Sequence, residues 1–88
     1  MDTKELHVNG ESFVIKTKQK FTVKKTLNFG MNRTFEPGDT IVLKDIRPSG
    51  NDGDFIFSKL SDPEREEVIV KYAIENLLED DHLTVTTE

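Results

Sequence analysis

The side chains of this sequence that could do chemistry are few, and their spacing limits what they could do. Its two histidines are His7 and His82, and it has no cysteine. In the run Leu6-His7-Val8-Asn9-Gly10-Glu11-Ser12, a tight turn at Asn9-Gly10 would set His7 opposite Ser12. A histidine beside a serine is the start of a base and nucleophile pair. Acyl transfer also needs a group to orient the imidazole, donors for an oxyanion and a pocket, none of which an outward-facing hairpin supplies. His82 follows the acidic run Glu79-Asp80-Asp81 and leads into a last apolar stretch. Without cysteine there is no thiolate nucleophile, no disulfide and no Cys-based zinc site. Asn51-Asp52-Gly53-Asp54 has the residue types of a calcium loop but lacks the later oxygen ligands and the closing glutamate. Those types form a turn without any metal. Gly50 and Gly53 have no adjoining Lys-Ser/Thr to cradle a phosphate. The expectation is a binding protein with no catalytic residue, metal ligand, cofactor or small-molecule substrate.

Charge is the stronger signal. The net charge is −5, but residues 1–47 carry nine Lys/Arg against six Asp/Glu, and residues 48–88 carry three against eleven. The halves are therefore +3 and −8. The positive half owes its sign to Lys16, Lys18, Lys20, Lys24 and Lys25. On an extended chain the even-numbered lysines project to one side, as in a basic track that follows a nucleic-acid backbone. A solvated face guarding an edge strand has the same pattern. The negative half repels a polyanion and suits a basic protein surface, including one that itself holds nucleic acid.

These residues must be positioned by secondary structure. Asn9-Gly10 is a strong signal for a hairpin with a type I′ turn, and that register puts Leu6, Val8, Phe13 and Ile15 on one face. Phe21, Val23, Leu27 and Phe29 share odd parity in a second extended stretch, with a bend expected near Lys25. Turns are expected at residues 30–33 and at Phe35-Glu36-Pro37-Gly38-Asp39, a strand over residues 40–46, a loop over residues 48–53 and a short strand at Phe55-Ile56-Phe57. Ser61-Asp62-Pro63-Glu64 has the form of a capping box with Pro in the first turn, which predicts a helix beginning at Ser61. Ile69, Val70, Ala73, Ile74, Leu77 and Leu78 would be its buried stripe, and Glu79-Asp80-Asp81 its stop. Leu83 and Val85 predict a closing strand. On that helix Val68 and Tyr72, four residues apart, would touch on the outer face, ringed by Glu64, Glu75, Glu79, Asp80 and Asp81. An aromatic anchor with a carboxylate rim is a partner-facing arrangement; the alternative buries both under the loop at residues 49–54.

The predicted class is α+β, one domain over residues 1–88, as a strongly bent antiparallel barrel or half-barrel with one helix near the C-terminus and a closing strand. The segment Phe35-Glu36-Pro37-Gly38-Asp39-Thr40-Ile41-Val42-Leu43 resembles the F-x-x-G-D-x-V-x-L stretch of SH3-like barrel families. That resemblance implies an SH3-like barrel and says nothing of function. No apolar run approaches the length of a membrane span, and the first residues lack a signal-peptide layout, so a cytoplasmic location is expected. In size, acidity and lack of motif the chain resembles small phage-encoded inhibitors that imitate the charge of DNA, which implies action in a host cytoplasm. Two functional expectations follow. The first is an inhibitor or regulator docking its acidic half on a basic partner protein. The second is an SH3-like nucleic-acid-binding module using Lys16, Lys18, Lys20, Lys24 and Lys25.

Overall fold

The computed structural model describes residues 3–31, 33–47 and 53–86. Strands β1 (Thr3–Val8) and β2 (Glu11–Lys16) form the N-terminal hairpin. Both central turn residues take positive φ, Asn9 at 53° and Gly10 at 80°, as a type I′ turn requires. The register pairs Val8 with Glu11, His7 with Ser12 and Leu6 with Phe13. Leu6 and Ile15 are fully buried, and Val8 and Phe13 pack beside them.

Strand β3 (Lys20–Val23) follows a turn in which Lys18 adopts a φ of 75°. The expected bend falls at Lys25, after which β4 (Leu27–Asn28) pairs with β5 (Thr34–Phe35) in a two-stranded ribbon. The Pro37-Gly38 turn closes with the Asp39 N–H donating to the Glu36 carbonyl, and Gly38 takes a φ of 93°. Strand β6 (Thr40–Arg47) then pairs with both β3 and β7 (Asp54–Lys59), so the strand expected at residues 55–57 is twice that length. Residues 48–52, most of the expected loop, and Asn32 of the expected turn at 30–33 lie outside the described residues.

The predicted helix start is wrong. Residues 62–70 form strand β8 (Asp62–Val70), and the helix α1 is Lys71–Glu79. Leu60 and Ser61 turn the chain from β7 into β8, and the pairing jumps from Ser58↔Glu66 to Lys59↔Asp62, so residues 63–65, with Pro63, fall in an irregularity. That is where an edge strand tolerates proline. Beyond it three consecutive β-branched residues, Val68, Ile69 and Val70, favour the extended chain over a helix. Val70, still extended, is the N-cap of the real helix and gives it no side-chain cap, and Ile74 is its fully buried residue. At its end the Asp81 and His82 N–H groups donate to the Leu78 and Leu77 carbonyls, with Asp81 at a φ of 60°. This is a Schellman stop with aspartate in the place usually taken by glycine.

Strand β9 (Leu83–Val85) pairs with β3, which completes a five-stranded antiparallel sheet in the order β8-β7-β6-β3-β9. The protein is therefore α+β, with mostly antiparallel strands and one helix. Among the described residues the strands do not close into a barrel, because β8 and β9 are not joined. The core is apolar and aromatic, with Phe21 set edge-to-face on Phe57 at 5.4 Å. Among the described residues no helix is long and apolar enough to cross a membrane.

Candidate protein-binding groove

Because β8 is a strand, Val68 and Tyr72 sit on different elements and not on one helical face. They still meet at one place. A groove of about 500 Å³ is lined by residues 26–29, by residues 68–70, and by Tyr72, Ala73, Asn76 and Leu77 of α1, with His82 beside them. Val68 is 56% exposed and Tyr72 67%, so neither is buried under another segment. Most of the groove's other side chains are apolar.

The inward side of β8 lacks the apolar alternation of an ordinary half-buried strand. Arg65, Glu67 and Ile69 share odd parity, and only Ile69 is apolar. Arg65 donates to the Thr34 carbonyl at 2.8 Å and lies over the Phe35 ring. Glu67, 6% exposed, accepts from Arg33 at 3.4 Å. The β4–β5 ribbon thus supplies partners for two charged groups that would otherwise be costly to cover. On the outward side Glu66 pairs with Lys44, and Glu64 is exposed.

The helix carboxylates divide into two groups. The N–H of His7 donates to Glu75 Oε2 at 2.7 Å, and the N–H of Asn9 donates to Glu79 Oε2 at 2.9 Å. Glu75 also lies 3.7 Å from Lys71 Nζ, and its side chain is only 17% exposed. Glu75 and Glu79 therefore tie the helix to the outer edge of β1. Asp80 and Asp81 remain exposed at the helix end next to His82. The carboxylate ring expected around Val68 and Tyr72 is thus split, with Glu64, Asp80 and Asp81 turned to solvent. These two hydrogen bonds span 68 and 70 residues and had no local signal in the sequence.

The lysines also separate. Lys16, Lys18 and Lys20 border one hollow of about 480 Å³ with Gln19 and Thr86. Lys24 and Lys25 lie beyond the other end of β3, where their N–H groups donate to the His82 carbonyl. His7 and Ser12 are cross-strand neighbours on the exposed face of the hairpin, and the His7 ring lies 3.8 Å from Glu5. Of the calcium-like loop, Asn51 and Asp52 lie outside the described residues, and among the described residues no three His, Asp or Glu side chains gather into a metal site. Compared with family models, curated proteins and solved structures, the chain matches none.

Proposed function

We propose that the protein is a non-enzymatic inhibitor or regulator that binds a basic partner protein through its acidic C-terminal half, with Val68 and Tyr72 as anchor. The partner surface is one that can itself hold nucleic acid, in the manner of a DNA mimic built on an SH3-like half-barrel. The observation that carries this reading is the groove: Val68 and Tyr72, exposed and from different elements, line one hollow, and the exposed carboxylates of Asp80 and Asp81 precede its His82 in the chain. An exposed tyrosine beside an apolar slot is the kind of residue that dominates an interface. Glu64, Asp80 and Asp81 supply long-range attraction, which speeds encounter and weakens with salt over a Debye length of about 8 Å at physiological ionic strength.

The second reading is a nucleic-acid-binding module, and what favours it is the meeting of Lys16, Lys18 and Lys20 at one hollow. A capture experiment from nuclease-treated lysate separates the two. Under the first reading the same basic protein is retained with or without nuclease, Tyr72→Ala weakens its binding by about 2 kcal/mol through faster dissociation, and changing Lys16, Lys18 and Lys20 to Gln has little effect. Loss of capture on nuclease treatment or on the lysine changes, with Tyr72→Ala silent, overturns it.

A further inference from the structure

We infer that the groove takes an extended segment of the partner as an added β-strand, lying between the free edges of β8 and β4 and carrying lysine or arginine beside residues 62–67. This rests on the partner-binding reading and specifies what enters the site. Successive side chains of a strand point to opposite faces, so a hollow that faces one side of a strand meets every second residue. This groove meets residues 68, 69 and 70 in a row on β8 and 26 to 29 in a row around β4. A hollow that touches consecutive residues faces the strand's edge, where the backbone is exposed. Both strands have such an edge, since among the described residues β8 pairs only with β7 and β4 only with β5. The Phe29 N–H is spent on Arg33, so the alternation of antiparallel pairing turns the Asn28 peptide groups away from β5.

The two halves of β8 differ in how they are defended. Residues 62–67 carry a proline and four carboxylates, of which Glu66 is paired with Lys44 and Glu67 with Arg33, so that Asp62 and Glu64 face solvent as the usual guards of an edge strand. Val68, Ile69 and Val70 carry none, and there the groove lies. A second copy of this chain is a poor occupant, because its net charge of −5 would bring like charge to an already acidic half. A helix is also a poor one, as its peptide groups are already bonded internally and leave both edges unpaired. An extended segment with alternating apolar and basic residues satisfies the edges and complements the charge.

The test uses the isotope-labelled full chain and a short blocked peptide alternating Val and Lys, followed by amide NMR. The expected result is shifts at Val68, Ile69, Val70 and Asn28. Backbone N-methylation of alternate peptide residues should weaken binding by about tenfold for at least one of the two alternate sets, the effect of losing one or two edge hydrogen bonds. A peptide alternating Val and Glu should bind at least about tenfold more weakly than the parent. If both methylated peptides bind the groove as tightly as the parent, strand addition is wrong, while the groove remains a docking site. Equal binding of the Val–Glu peptide overturns the basic character of the segment. If the parent peptide shifts no groove residue at about 1 mM, the strand proposal falls, and the Tyr72→Ala capture result decides separately whether the groove reading falls with it.

Discussion

Strands β1 and β8 both end a sheet, and α1 packs against both, yet their outer backbones are finished differently. Along the outer side of the hairpin the N–H groups of His7 on β1 and Asn9 in the turn, two residues apart, meet the carboxylates of Glu75 and Glu79, four residues apart on the helix. The match is geometric. Four helical residues rise about 6 Å and two strand residues about 6.7 Å, so one helix face can serve alternate donors of one strand edge. On β8 no such cover exists along residues 68–70 among the described residues, and these residues line a groove. The same short helix thus seals one edge and borders an open one. An uncovered edge is a liability that proteins usually manage, and this contrast is what the proposed use of the β8 edge rests on.

Breaking the sealed edge should give the largest effects. Gly10 sits at a φ of 80° with open space around its Cα, so Gly10→Val is strained through its backbone and not by a clash. It should destabilise the protein by up to about 3 kcal/mol, read as the shift in a thermal or urea midpoint. The turn also sets the register that aims His7 and Asn9 at the helix, so an unchanged midpoint would undo both. Next, replacing Glu75 and Glu79 together by Ala removes two charge-assisted bonds and should cost about 2 kcal/mol, with faster exchange at the His7 and Asn9 amides. Both carboxylates are partly solvated, which keeps the figure at the low end.

The turn at Asn9-Gly10, the Pro37-Gly38 turn and the odd-parity face of Phe21, Val23 and Leu27 were legible because each is encoded by neighbouring residues. The start of the helix was not. Ser61-Asp62-Pro63-Glu64 satisfies helix capping, but the same residues make the turn and irregularity that open β8. Arg65 and Glu67 point inward, so β8 lacks the apolar alternation that identifies a strand, and their partners Thr34 and Arg33 lie more than thirty residues earlier. The run Val68-Ile69-Val70 was the one local sign of the extended chain. The pair Val68 and Tyr72 was legible only as neighbours on a helix, either exposed or buried under the loop at residues 49–54; the fold leaves both exposed and joins them from two elements. Residues 26–29, which form its other wall, carry no motif and could be found only from the fold.

Smaller changes sharpen the comparison. Asp81→Gly relieves a left-handed residue at the helix stop and removes a carboxylate from the negative end of the dipole. It should raise stability by about 0.5–1 kcal/mol in a denaturant titration and leave both edges as they are. On the open edge, Val68→Lys places a guard charge on an exposed position and should change stability by no more than about 0.5 kcal/mol. It should nonetheless reduce partner capture, and a large loss of stability would mean that Val68 belongs to the core and not to the groove.

The contrast between the edges is tested most directly by amide hydrogen exchange of the free protein, followed residue by residue by NMR. The account predicts that His7 and Asn9, although on the outer side of the hairpin, exchange at least about tenfold more slowly than Asn28, whose N–H is turned away from β5. Equal protection of Asn28, or exchange of His7 and Asn9 at the rate of an unprotected amide, would contradict it.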